Sequence, residues 1–546
     1  MNTKIKTIFA VGLAAMAVSC SDLDVSMDSQ YSAYPGNAEA IESKMAGIYF
    51  TMRDCFGRRF MESQALSSDE FTAVSFSGNW LDSHAYSYTS LHNFNNEQAT
   101  IDWMGVLGRG VVKANEVINA TGVDEKYVAS ARAVRAYFTW LEMDNFGDAP
   151  IVDEAYCNAN NVDIRDRQPR AEVAKWIESE LLAVADMLPE ETTGENYGKP
   201  NKYMAYGLLA RLYLNWPVYT ASSVDQYDAA TATNEKLNDC VAACDKIINA
   251  GKFELGPVAY RFKFGPNNSE LVESGQIKDF IYVMPYHTLN ATGMQYGRSH
   301  SYKALNNLDP SYYGEKINKS AGGYLVVTPE CANRFNLEGD ERNTMIVVGQ
   351  AYVYDPSTLL PTSQKALDQN GNDLVFTRDI TIDQSKQEDI DVGDNLDGWR
   401  QGAHSVKWFV DGQEFAKNSR NQSNDLPLIR YADILMMKAE AIVRGASATG
   451  GDTPQSLFNQ IRSYVNAPAI NHSPTLEEIY EERGREFFDE NLRRVDMIRF
   501  GHFEDDYGFH KQGFQNAKFD KYRRIFPIHK KNDLDTNPRW SQNPGY

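Results

Sequence analysis

Apolar side chains recur at helical spacing in two blocks of the chain and lose that rhythm between them. In the first block Tyr127, Ala131, Val134, Phe138 and Leu141 advance in steps of 4, 3, 4 and 3, which sets them on one helical face that Gly147 and Pro150 bring to an end. Val173, Ile177, Leu181, Val184 and Leu188 advance by 4, 4, 3 and 4, up to Pro189. The same reading predicts helices over about 101–119, over 203–215 closed by Pro217, and over 234–249 stopped by Gly251. Helices return over 430–443, 456–465 and 476–488, the last opened by Thr475 and Glu478 at capping-box spacing after Pro474. Helices joined by short loops must bury their stripes against one another, and a stack of antiparallel helical hairpins does so economically. The predicted fold class is mainly α, although no strict 34-residue repeat accompanies it.

Residues 251 to about 427 read differently. Gly, Pro, Asn, Asp and Tyr are frequent there, helical stripes are absent, and Phe280-Ile281-Tyr282-Val283 suggests a small strand. Long irregular segments inside a compact chain usually carry function, so this middle block and the segment 60–96 are where a ligand site is expected.

Charge and chemistry narrow the possibilities. Across 546 residues, 54 basic side chains face 74 acidic ones, a net of -20 that argues against a nucleic-acid binder. With 30 tyrosines, 26 phenylalanines and 8 tryptophans the chain has ample material for a core. Cys55, Cys157 and Cys331 are isolated, and Cys240 and Cys244 share a helical face without the His or Cys partners that zinc needs; buried free thiols are expected. Gly105, Gly108 and Gly110 do not form a phosphate-cradling GxGxxG, and no GxxxxGK[ST], HExxH or GxSxG occurs. The acidic run Glu481 to Glu486 interleaves with Arg483, Arg485, Arg493, Arg494 and Arg499, as a structural ion-pair network requires, and pairing of that kind keeps carboxylates ionised. No cofactor is predicted; a calcium ion in the Asp- and Asn-rich middle would lack any EF-hand pattern.

The amino terminus reads as an export signal. Lys4 and Lys6 precede an apolar stretch from Ile8 to Val18, whose 11 residues fall short of the roughly 20 needed to span a bilayer. Ala17-Val18-Ser19-Cys20 resembles the lipobox of bacterial lipoproteins, with Ala17 where Leu is commonest. Residues 1–19 are thus expected to be a signal peptide, Cys20 to carry lipid and 20–36 to form a tether. Ser21-Asp22-Leu23-Asp24 resembles the acidic signal that sends lipoproteins to the outer face of the outer membrane. Acyl chains contribute about 0.8 kcal/mol per buried CH₂, so several on one cysteine hold a protein of this size at a membrane.

Five motifs in order form a pattern. They are Arg135-Ala136-Tyr137-Phe138 to Phe146-Gly147-Asp148-Ala149-Pro150; Leu428-Ile429-Arg430-Tyr431-Ala432-Asp433-Ile434-Leu435 to Ala439-Glu440-Ala441; Asn459-Gln460-Ile461-Arg462; Glu482-Arg483 through Glu486 and Arg493 to Asp496, Arg499 and Phe500; and Phe526-Pro527-Ile528, Asn537-Pro538 and Gln542-Asn543-Pro544-Gly545-Tyr546. Together they resemble the SusD/RagB family of nutrient-binding lipoproteins, with His529 in place of a proline and Phe500 in place of a tryptophan. The resemblance implies one SusD-like domain over 37–546. Four tetratricopeptide-like helical pairs would form its scaffold (about 101–250 and 428–500), and the ligand would meet a loop-rich face (about 60–96 and 251–427). It also implies a surface subunit without catalysis, anchored in the outer membrane, that captures oligosaccharide, or in some branches peptide, for a SusC-like TonB-dependent transporter.

A sugar ring offers an apolar face and a rim of hydroxyls, which flat aromatics and planar amide, carboxylate or guanidinium groups match. Asn79, Trp80, Asp82 and Tyr86 supply that mix, and Tyr286, Tyr296, Arg298, Tyr302 and Tyr312 a second cluster. The competing expectation for each ring is that it packs its own loop. Alternatives at the level of function are a peptide-import subunit, a surface glycoside hydrolase and a purely structural subunit.

Overall fold

The computed structural model describes residues 38–75, 82–153, 165–296, 325–368, 370–394, 398, 400–411, 421–508 and 513–546. The predicted signal peptide, Cys20 and the tether lie outside them. No helix among the described residues is long and apolar enough to cross a membrane.

Helix α1 (Ala38–Tyr49) is followed by α2 (Met104–Ile118), α3 (Glu125–Phe146), α4 (Arg170–Val184), α5 (Lys202–Leu214) and α6 (Leu237–Ile248). Each predicted stripe is buried: Val134, Phe138 and Leu141 in α3, Val173, Ile177 and Leu181 in α4. Pro217 does not close α5 as expected. It lies in the first turn of a separate short helix, Trp216–Thr220, where its missing N–H costs nothing. After the irregular middle come α7 (Tyr431–Val443), α8 (Pro454–Tyr464), α9 (Leu476–Glu486) and α10 (Arg493–Phe500). The predicted capping box of α9 is present: Glu478 N–H donates to Thr475 Oγ1 at 3.2 Å, and Thr475 N–H to Glu478 Oε2 at 2.8 Å.

Neighbours in sequence pack in space, α2 on α3, α3 on α4, α4 on α5 and α5 on α6. Helix α6 then packs on α7, so the long middle leaves the stack and returns to the next place in it. The predicted strand is Phe280–Met284, paired antiparallel with Leu426–Arg430 and buried on both faces. The expectation of a surface loop from residue 60 is corrected. Phe56–Phe60 forms a π-helical turn, Met61–Leu66 is a fully buried helix, and Phe71–Ala73 is a buried strand paired with Leu325–Val327.

The carboxyl-terminal motif is a fastening. Asn543 Nδ2 donates to Phe146 O at the end of α3 (2.9 Å) and to Phe526 O (2.8 Å), while Tyr546 Oη donates to Ile525 O (2.7 Å). His529, where the motif departs from proline, uses Nδ1 to accept Asn532 N–H at 3.2 Å and so caps the turn Lys530–Leu534.

The arginine-rich face is buried, and its pairs form alternating chains. One runs Arg211, Asp433, Arg483, Asp496, Arg499, Glu440, Arg444, with closest N···O distances of 2.7 to 2.9 Å. Another joins Asp340, Glu482, Glu486 and Glu490 through Arg342, Arg430 and Lys407. Within the first chain the flanking arginines, acting against desolvation, hold Asp433 and Glu440 down to about 2. Arg494 is the exception to the expected pairing: its Nη2 donates to the carbonyls of Arg523 and Arg524. Cys55, Cys240, Cys244 and Cys331 are buried free thiols, and Cys157 lies outside the described residues.

Gly110 sets how closely α2 and α3 approach. A Cβ there would lie 2.3 and 2.5 Å from the ring of Phe138, itself buried. Gly110→Ala gains about 1 kcal/mol of helix propensity and loses about 1–3 kcal/mol to overpacking. A net loss of about 1 kcal/mol in urea unfolding is the expected result, and a stabilised variant would show that the two helices can separate freely.

Candidate functional site

Of the nine predicted ligand residues, Asn79, Trp80, Arg298, Tyr302 and Tyr312 lie outside the described residues. Three of the remaining four are interior, which corrects the expectation that they meet ligand. Tyr86 is 1 % exposed, and its Oη accepts from Arg58 Nη2 (3.3 Å) and Arg59 Nη1 (3.2 Å). Tyr286 donates its hydroxyl to Arg53 O and its N–H to Asp425 Oδ1, both at 2.6 Å. Tyr296 is fully buried beside Asp489; burial, with the negative charge of Asp489, raises its hydroxyl well above a free tyrosine. The physical reason is common to the three: each hydroxyl finds an internal partner, so the ring can be buried without stranding a polar group.

Asp82 is exposed, and it opens an unusual turn. Asp82, Ser83 and His84 have φ of 39°, 55° and 63°, three successive left-handed residues none of which is glycine. Each such residue costs on the order of 1 kcal/mol unless its surroundings hold it. What holds this turn is the short helix Ala85–Ser90 and the segment 383–392. His84 stacks on Tyr88 with ring centroids 5.0 Å apart and planes 15° from parallel. Its Nδ1 lies 2.7 Å from Asp389 Oδ1, and Tyr88 Oη donates to Glu388. Ser75 N–H donates to Ile390 O (3.1 Å) and Val392 N–H to Ser75 O (3.0 Å), which pins 390–392 beside the stem that leads to Asn79 and Trp80. Ile390, buried and β-branched, is itself left-handed at φ 50°.

The π-helical turn Phe56–Phe60 completes this face. It presents Arg58 and Arg59, 25 % and 32 % exposed, both paired at 3.2 Å with the fully buried Glu62. Gln295 N–H donates to Gly57 O (3.0 Å), and Gln422 N–H to Met294 O (2.9 Å). With Phe71–Ala73 paired to Leu325–Val327, the described stems of 76–81, 297–324 and 412–420 converge on one region. Sequence reading missed Arg58, Arg59, His84 and Tyr88. The only trace of them was the paired arginines of Phe56-Gly57-Arg58-Arg59-Phe60 and the density of rings after Trp80.

Partly exposed rings, two guanidinium groups and the carboxylates of Asp82, Glu388 and Asp389 can together bind a polyol by stacking and charge-assisted hydrogen bonds. The carboxyls that burial pushes upward lie elsewhere and inside. Asp489 and Glu142 are raised to about 8, Asp425 to about 7 and Glu70 well above its usual range, each at most 2 % exposed. A substrate at the surface does not reach them. Among the described residues no group of three or more His, Cys, Asp or Glu is placed to hold a metal ion.

Comparison with known proteins agrees with this architecture. The SusD family model matches residues 287–546, and a second model of the same kind, described as starch-binding associating with outer membrane, matches 23–214. The starch-binding protein SusD of Bacteroides thetaiotaomicron is 26 % identical over 441 residues, which cover 77 % of this chain and 72 % of that protein. Among solved structures, surface glycan-binding protein A from Bacteroides fluxus superposes with a TM-score of 0.68 at 20 % identity, covering 94 % of this chain and 100 % of that one. Surface glycan-binding protein A from Bacteroides thetaiotaomicron in complex with laminarihexaose gives 0.65 at 19 % identity, covering 93 % and 99 %. With the ordered motifs, the helical stack and these matches in agreement, the chain belongs to the SusD/RagB family.

Proposed function

We propose that this protein is a non-catalytic, cell-surface lipoprotein, lipidated at Cys20, that captures oligosaccharide and hands it to a SusC-like TonB-dependent transporter in the outer membrane. The observation that carries the reading is the His84–Tyr88 stack beside the Ser75 stem, with the Arg58–Arg59 turn, joined to Tyr86 of the same short helix, bordered by the stems at Gln295 and Gln422. The starch-binding and laminarihexaose-bound relatives support a glucan as the ligand class. Trp80, the largest ring among the residues expected to meet ligand, lies in sequence between Ser75 and Asp82.

Affinity electrophoresis in starch and in laminarin tests the reading. The wild-type protein is retarded in at least one of them. A ring that stacks on a ligand contributes on the order of 1 kcal/mol, so Trp80→Ala and Tyr88→Ala each weaken retardation several-fold. Retardation in neither glucan, or variants indistinguishable from the wild type, would overturn the proposal. Release of new reducing ends by the purified protein would replace it with a hydrolase.

A further inference from the structure

Phe519 is 43 % exposed, and among the described residues every other phenylalanine is buried or half-buried. Burying such a ring contributes about 1.5–3 kcal/mol, and phenylalanine carries no hydroxyl that would favour the surface. A ring kept outside against that gain calls for a role there.

The segment that carries it borders the glycan face. Lys518 N–H donates to Leu91 O at 3.0 Å, and Leu91 caps the short helix Ala85–Ser90 one turn beyond Tyr88. Phe514 and Ala517 are buried in a small apolar cluster with Val74, Leu91, Ile390 and Val392. Val74 precedes Ser75, the residue that pins Ile390 and Val392 through two backbone hydrogen bonds. One cluster therefore underlies both the segments around the His84–Tyr88 stack and the segment that leads into Phe519. Residues three apart on a helix are about 5–6 Å apart and successive Cα atoms 3.8 Å, so the backbones of Tyr88 and Phe519 lie within about 16 Å of each other.

The surroundings of the ring say what it meets. Its neighbours in sequence are Lys518, Asp520 and Lys521. Asp520 Oδ2 accepts Arg523 Nε at 3.2 Å, and its side chain remains 54 % exposed. Lysine and aspartate are depleted from the dry centres of protein–protein interfaces, because each charge would have to be desolvated. A sugar ring makes no such demand. Its C–H face packs on the aromatic ring while its hydroxyls bond the amines and the carboxylate beside it.

We infer that Phe519 is a second stacking platform of the glycan face, which holds one sugar unit against Tyr88 and a later unit of the same chain against Phe519. The ligand class is thereby an extended oligosaccharide rather than a single sugar. The inference rests on the reading of that face as a glycan site.

Titration calorimetry on the full chain tests it, with laminarihexaose and maltohexaose as probes and melting temperatures recorded alongside. For the hexasaccharide that wild type binds, Phe519→Ala is expected to weaken binding about fivefold, the usual worth of one stacked ring. Phe519→Tyr, which keeps the ring, recovers the loss. Tyr88→Ala is weakened to a similar degree, and the double variant by about the product of the two, since the platforms are far enough apart to act independently. Unchanged binding in Phe519→Ala beside weakened binding in Tyr88→Ala would overturn this inference and leave the glycan reading standing. A double variant no weaker than either single one, or Phe519→Tyr as weak as Phe519→Ala, would overturn it too. No binding of either hexasaccharide by wild type would overturn both.

Discussion

Replacing Asp69 by alanine should lower the free energy of unfolding by about 3–5 kcal/mol, the usual cost of removing one partner from a buried ion pair. Asp69 Oδ1 accepts from Arg493 Nε at 2.7 Å, and Oδ2 accepts from Arg493 Nη2 at 2.7 Å and Arg334 Nη2 at 2.9 Å. All three side chains are at most 9 % exposed, and the two arginines hold the carboxyl well below its ordinary range against the pull of desolvation. Alanine leaves two guanidiniums inside the protein with too few acceptors. Gly484 shows how tightly the pair is housed, since a Cβ there would lie 2.9 Å from Arg334 Cδ and from Arg493 Nη1. The urea midpoint should fall at constant m, and the triple variant Asp69→Leu with Arg334→Met and Arg493→Met should recover a large part of the loss, because a well-packed apolar cluster replaces the ionic one at little cost. A loss below about 1 kcal/mol in Asp69→Ala would mean that water reaches the site.

The second large effect has the opposite sign. Glu142 lies in α3, 2 % exposed, and its Oε2 has no hydrogen-bond partner among the described residues. Burial first, and then the neighbouring Asp533, raise it from 4.5 to about 8. Between those two pH values the native state keeps a proton that the unfolded chain has released, so stability falls as pH rises and the full penalty is present above about 8. Asp489, Asp425 and Asp533, raised by burial to about 8, 7 and 6, add to the same slope. At the acid end, Asp433 and Glu440, held at about 2, lose their contribution as pH falls from 4 towards 2. Stability is therefore expected to peak near pH 5 and to decline towards pH 9. Glu142→Gln should flatten that decline and be more stable than the wild type by about 2–3 kcal/mol at pH 9, with little difference at pH 4. Melting curves at the three pH values decide it, and a variant that is less stable at pH 9 would show that the charge of Glu142 is compensated in the native state.

Both predictions rest on contacts that no local pattern announces. Asp69 and Arg493 are 424 positions apart, and Glu142 meets Asp533 through a turn at the far end of the chain. The helices were legible because burial on one face imposes a period of 3.6 on a local stretch of sequence, as Val173, Ile177, Leu181 and Val184 show. The capping box at Thr475 and Glu478 was legible for the same reason, its partners being three residues apart.

The ring-bearing segments carried no such constraint. Tyr86, Tyr286 and Tyr296 have the composition of a sugar site, yet a hydroxyl on a ring suits burial as well as exposure once an acceptor or donor is near. What separated them from Tyr88 was the position of Arg53, Arg58 and Asp489, each brought from another part of the chain. Likewise the arginine-rich motif announced a network of ion pairs. Its depth and its order followed only from the stacking of α5, α7, α9 and α10.

On its own, the amino-acid sequence determined the helical scaffold, its caps, the identity of the family and the structural character of the Glu481–Glu486 run, all of which are written in short-range spacing or ordered motifs. The tertiary structure decided which aromatics face inward and where three loop stems meet. Those outcomes depend on which distant groups share a dry interior, and a distance in space has no counterpart in distance along the chain.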